Sequence, residues 1–371
     1  ATTPKPHDPQ SPQVKPGEEQ KPDHGPLGAH LSFHAGSESH ELWFEGDAKD
    51  PVLMVASADP GPVRKKLTKW RKELKESTAS AAQKKDINER IGTAHRLMNN
   101  AESAAKKNDA NQAATIKIQR EIIGVFTELF QFFYNIDAGA NHCDCATNDE
   151  KAQNASNTYA NELNTLFGTE STNPHFRKAQ PKIAAAGYDP QSGKYHFGYS
   201  SWNDPQIIKN RINDSHPQMH VKMAEIYIQI ITELSDKIVI EIITTTSKLE
   251  RKDNSTETIK QLNADIEKLK EELSKYENIQ ERLIIISQSN QKNSDLSVLH
   301  EIEHDQSLRD LSYSMWNCAE RPVMDQILQE RPPGTKFDTA NKEVSIRAST
   351  VSKKDSPKSM CSHCNRLHNH R

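Results

Sequence analysis

Apolar positions change their spacing several times along this chain. Before Leu31 they are scarce, and residues 1–28 form a Pro-rich polar run that favours an extended lead without a core. Leu31 and Phe33, then Leu42, Trp43 and Phe44, then Val52 to Val55 come in short bursts separated by turn material, which predicts a small β-meander over 29–60. From Gly61 the period becomes helical. The run Ile116 to Tyr134 is apolar on most faces, as a buried helix is, and 61–170 reads as a helical region. Ile183, Ala185, Gly187 and Tyr188, a polar turn from Asp189, and alternating Tyr195, Phe197 and Tyr199 predict a β-hairpin.

A second helical block spans about 205–300. Ile226, Ile230, Leu234, Ile238 and Ile242 recur at helical spacing. After a polar break, Ile259, Leu262, Ile266, Leu269, Leu273 and Tyr276 step by three and four. The two helices are expected to fold back on each other as an antiparallel arm. Beyond them Val323, Met324, Ile327 and Leu328 mark the apolar face of a further helix. Pro322 fits only near its first turn, which puts Cys318 at the helix N-terminus. A loop follows, then a strand over Glu343 to Val351, then a second helix start near Ser359.

Composition narrows the reading. At 371 residues with 34% hydrophobic positions and a mean hydropathy of −0.83, part of the chain must lie outside packed cores. The net charge of −3 neither marks a nucleic-acid binder nor excludes one. No stretch approaches the ~20 apolar residues of a membrane span, and the start carries no signal-peptide pattern. Five cysteines argue against a disulfide scaffold and favour a reducing compartment. His142, Cys143 and Cys145 lack a fourth ligand at a standard spacing and read as an ordinary loop.

Cys361 and Cys364 are three apart, hence on one helical face, and with Cys318 they offer three thiols from two helix N-termini. The positive end of a helix dipole favours thiolate, the zinc-binding form. Three protein ligands leave the fourth tetrahedral position for water, and zinc lowers the pKa of that water toward neutrality. Glu320, two residues past Cys318, is the candidate proton carrier. Three thiolates overcompensate the zinc charge, and Arg321 is suitably placed to donate to a ligand sulfur and restore acidity. Trp316, Asn317 and Tyr199 are candidate substrate contacts, the two aromatic residues as platforms for a base.

Cys318-Ala319-Glu320-Arg321 followed by Cys361-x-x-Cys364 resembles the cytidine deaminase-like superfamily. The resemblance implies a three-layer α/β/α core over about 180–201 and 312–371, interrupted by the helical arm. It also implies a zinc cofactor and hydrolytic deamination of a nucleobase. Pro357 stands four residues ahead of Cys361, where the family has a proline immediately before the pair, and the helical block is foreign to the pattern. The order of a Pro-rich lead, a meander, helices and an enzyme last resembles bacterial polymorphic toxins, which carry deaminases, including a YwqJ-like group, as C-terminal warheads. That implies an immunity protein, a secretion apparatus and action in a target cell's cytoplasm.

From Lys342 onward seven basic residues stand against two acidic ones. The run suits a polyanion, with cytosine in nucleic acid as the leading substrate and free nucleosides or nucleotides as the alternative; a solvated tail is the plain reading. The competing class is a non-enzymatic, zinc-stapled coiled-coil adaptor, in which Cys361, Cys364, His368 and His370 close a knuckle by themselves. Glu320 would then be an ordinary solvent-facing residue of a first helical turn.

Overall fold

A computed structural model of the chain describes residues 30–35, 38–45, 52–57, 61–105, 112–141, 146–168, 179–251, 255–289, 295–304, 315–352 and 357–358. The chain divides into two units, 1–61 and 62–371. In the first, β1 (His30–Ala35), β2 (Glu38–Glu45) and β3 (Val52–Ser57) pair antiparallel in chain order, a meander at the expected position.

The second unit is built on a four-stranded antiparallel sheet. Its strands are β4 (Ile183–Asp189), β5 (Lys194–Tyr199), β6 (Ser345–Thr350) and the two-residue β7 (Pro357–Lys358), in the order β5-β4-β6-β7. β4 and β5 form the expected hairpin, turned at Gly193 with φ 69°. β6 then pairs with the other side of β4, Ala185 opposite Ala348. Everything between β5 and β6 is one long excursion.

Alternation along β4 feeds two cores. Ala184, Ala186 and Tyr188, with Tyr195 and Phe197 of β5, join a cluster drawn from α1 (Gly61–Glu76), α2 (Ala81–Ala105), α3 (Gln112–Asn141) and α4 (Asn148–Phe167). Phe130 of α3 and Tyr159 of α4 pack on Phe197 with ring centroids 5.0 and 5.2 Å away. Ala185, Ile346 and Ala348 face the opposite cluster, which holds the excursion: α5 (Pro205–Asp214), α6 (Pro217–Leu249), α7 (Thr256–Ser287), α8 (Ser297–His304), α9 (Glu320–Glu330) and α10 (Phe337–Glu343). The unit is therefore mixed α/β, with the sheet as the middle of three layers. The helical region that the sequence divided off near residue 170 is the sheet's second covering layer, and α3, α4 and the strands share one core.

α6 and α7 pack on each other as the heptad pattern predicts. Ile226, Ile230, Ile238, Ile266 and Tyr276 are buried on the seam, while Ile259 stays 39% exposed. α10 replaces part of the expected loop, so Glu343 ends a helix and the strand begins at Ser345. The outer edge of β5 is closed by side-chain amides. Asn135 accepts from the Tyr195 N–H at 2.7 Å and donates to its carbonyl at 2.8 Å; Gln131 accepts from the Phe197 N–H at 2.9 Å. Among the described residues no helix is long and apolar enough to cross a membrane.

Candidate metal and proton-transfer site

α9 begins at Glu320, with a 3₁₀ turn over Met315–Asn317 and then Cys318 just before it. Pro322 is the third helical residue, where no intrahelical N–H bond is required. The helix lies very close to the sheet because two strand residues are glycines. A Cβ on Gly198 would stand 2.3 Å from the Ala319 carbonyl oxygen and 2.7 Å from Pro322 Cγ. One on Gly187 would stand 2.5 Å from Val323 Cγ1. The sequence carried a signal for this, a glycine inside an aromatic strand.

The turn is held from several sides. Asn317 Oδ1 accepts from Ser201 Oγ at 2.7 Å and from the Asn203 N–H at 3.2 Å, and the Asn317 carbonyl accepts from the Ser201 N–H at 3.1 Å. These bonds fix a loop in which Trp202 and Asn203 both have positive φ, 60° and 56°, a conformation costly for tryptophan. Arg211 of α5 donates to the Trp316 carbonyl at 2.9 Å, to the Tyr199 carbonyl at 2.6 Å and, more distantly, to the Cys318 carbonyl at 3.5 Å.

Cys318 is half-buried, whereas Glu320 is 5% and Arg321 1% exposed. The solvent-facing Glu320 of the adaptor reading is not what the structure has: α9 presses its first turn onto the sheet, and the carboxylate goes inside with it. Arg321 Nη1 donates to the Met223 sulfur of α6, a thioether in place of the expected ligand thiolate. Its Nε and Nη2 are buried without a hydrogen-bond partner among the described residues. Beside it the Tyr227 hydroxyl donates to the Glu303 carboxylate of α8. Burial, and then the Glu303 charge, hold that phenol well above its usual range, while Arg321 opposes them. Tyr227, Glu303 and Arg211 gave no signal in the sequence, because each arrives from the helical excursion.

The three expected substrate contacts are each engaged within the protein. Trp316 is 1% exposed and packs near His220, ring centroids 6.2 Å apart, so it belongs to the core and offers no face to a base. The Tyr199 ring lies 5.4 Å from Trp202 with the Arg211 guanidinium over it at 5.5 Å, and its hydroxyl reaches toward Gly124 of α3. Asn317 is engaged in holding the loop. In the described part of the basic run, Arg347 pairs with Asp149.

Cys361, Cys364, His368 and His370 lie outside the described residues, as do His142, Cys143 and Cys145. Among the described residues no three His, Cys, Asp or Glu side chains gather to hold a metal. Cys318 is thus the one expected ligand whose setting is visible. It interacts electrostatically with Arg211, and it pushes the Tyr227 phenol upward where Arg321 pulls it down. A cationic setting with two unsatisfied guanidinium nitrogens fits a place where anionic thiolate ligands would gather. No family model, curated protein or solved structure matches the chain.

Proposed function

We propose that this protein is a zinc-dependent hydrolytic deaminase of a nucleobase, with cytosine in nucleic acid as its substrate. The observation that carries the reading is the Cys318-Ala319-Glu320-Arg321 turn. It opens a helix pressed against a hairpin-plus-strand sheet, with its carboxylate and guanidinium both enclosed. Hairpin, helix, strand is the order that the resemblance implies.

Zinc, held by Cys318 with Cys361 and Cys364, would supply Lewis acidity toward water near neutral pH. Glu320 would take the proton of the attacking water and deliver it to the ring nitrogen and then to the departing amine. Its enclosure keeps bulk water from competing for that proton. Arg321 would offset the excess negative charge of three thiolates. The toxin assignment, with an immunity protein and a delivery apparatus, is supported only by the order of segments.

The test uses the full chain. Zinc content is measured together with uracil formation in cytosine-containing DNA and RNA and deamination of free cytidine. Cys318→Ala should lose the metal. Glu320→Gln should keep it and lose ~10²–10⁴ in rate. Absence of deamination in zinc-loaded protein, or full activity in Glu320→Gln, would overturn the reading. The adaptor reading draws on Val239, Ile240 and Ile243, which are 40%, 63% and 60% exposed on α6; it expects Glu320→Gln to be silent.

A further inference from the structure

The excursion contributes charge to the turn as well as an arm. Met223 and Tyr227 stand one helical turn apart on α6, on the same face. Met223 accepts from Arg321, and Tyr227 donates to Glu303. Exposure is 0% at Met223, 1% at Arg321, 3% at Tyr227 and 5% at Glu303. The Tyr227 hydroxyl is within electrostatic reach of both Arg321 and Cys318. A buried cation on α9 and a buried carboxylate on α8 are therefore held on successive turns of one face of α6. Arg321 has a thioether as its hydrogen-bond acceptor, which carries no charge to balance its own. A buried charge without compensation is strongly destabilising, so a nearby anion is required.

We infer that Glu303, oriented by the Tyr227 hydroxyl, is the counter-charge that positions Arg321 and with it the Cys318–Ala319–Glu320 turn. Both are positioning residues that act through Arg321. The catalytic consequence rests on the proposed deaminase, whereas the charge coupling does not. The excursion then becomes a part of the site.

The experiment takes Glu303→Gln, Tyr227→Phe, Arg321→Met and the Glu303→Gln/Arg321→Met double variant of the full chain. Melting temperature, zinc retained against a chelator, and kcat and KM on a cytosine-containing oligonucleotide are measured. Glu303→Gln should cost far less stability in the Arg321→Met background than alone. Alone it should lower kcat about tenfold or more at nearly constant KM, and Glu303→Asp should restore part of that loss. If Glu303→Gln does not fold, Tyr227→Phe, which deletes a single oxygen, carries the same cycle against Arg321→Met. Additive melting shifts would overturn the inference. Coupled shifts with unchanged kcat and zinc retention would also overturn it, reducing the pair to a structural contact. A wild-type chain without zinc or deamination, but with the coupling intact, would sink the deaminase reading while upholding the pairing.

Discussion

Replacing Gly198 by alanine tests how the start of α9 is placed. The added Cβ would sit 2.3 Å from the Ala319 carbonyl oxygen, about 1 Å inside an ordinary C···O separation of ~3.3 Å. It would also meet Pro322 Cγ at 2.7 Å and Val323 Cγ2 at 3.1 Å. Two of these neighbours are a backbone oxygen and a proline ring, which cannot swing aside, so the first turn of α9 must move by about the missing ångström. Overpacking of this kind typically costs ~1–3 kcal/mol, and the rigid neighbours point to the upper half. For a unit of this size that is about 3–5 °C in melting temperature. A displacement of ~1 Å at a catalytic group is worth ~10² in rate, so deamination should fall by more than stability alone accounts for. Gly92→Ala is the control: it lies within α2 with nothing within 4 Å of the added carbon, and should gain about 0.5–1 kcal/mol. Thermal melts and rates of the two variants side by side decide the matter. A Gly198→Ala protein that melts with the wild type and keeps its rate would refute the close-approach argument.

Acid sensitivity should be pronounced. His95 is 7% exposed, and burial first, then Arg71 and Arg64, lower its pKa to about 3; His196 and His220 are lowered as well, chiefly by burial. Each binds fewer protons folded than unfolded, so its stability contribution is complete above the unfolded value of ~6.5 and is lost as pH falls below it, by up to about 1.4 kcal/mol per pH unit. Asp325, raised to about 6 mainly by burial, acts in the opposite sense between ~4 and 6 and cancels about one histidine. Denaturant melts at pH 7, 6 and 5 should therefore show a net loss that His95→Gln reduces by about one proton; an unchanged slope in that variant would be the contrary result. The Arg331–Asp189 pair, 2.6 Å apart with side chains 5% and 2% exposed, ties the hairpin turn to the end of α9. Asp189→Asn should cost about 1.5–3 kcal/mol, since it takes the enclosed carboxylate from a guanidinium that keeps only Glu343 and Gln191, and weakens the turn bonds to Gln191 and Ser192. A melting shift within about 1 °C would count against it.

Local periodicity made the hairpin, the meander, the α6–α7 seam and the helix after Cys318 legible, because each announces itself in one continuous stretch of chain. What joins them did not. β6 reaches β4 only after the whole excursion, and nothing in Ser345–Thr350 names Ile183–Asp189 as its partner. The same blindness hid α3 and α4 as a covering layer of the sheet. Polarity alone puts Glu320 in solvent, as the adaptor reading had it, yet the residue is enclosed because Gly198 lets the helix sink onto β5. Trp316 misled in the other direction: an aromatic residue beside a candidate site fits a stacking role or a core equally well, and only its burial decides.

The restraint on residues 316–321 exceeds what a helix start needs. An ordinary start is stabilised by one capping side chain, worth ~1 kcal/mol. α9 has none, for Ala319 occupies its cap position. Yet the sheet supports this turn from below at Gly198, the strained loop at Trp202 and Asn203 is tied to Asn317, and Arg211 holds the Trp316 carbonyl. Met223 takes a hydrogen bond from Arg321. These contacts come from β5, from the loop after it, from α5 and from α6, so no single element owns the geometry. The adaptor reading assigns no role to such convergence, or to the carboxylate and the guanidinium enclosed at its focus. A reaction that needs a proton carrier held beside a metal ligand does have a use for it, since catalytic groups work when their positions are fixed before the substrate arrives.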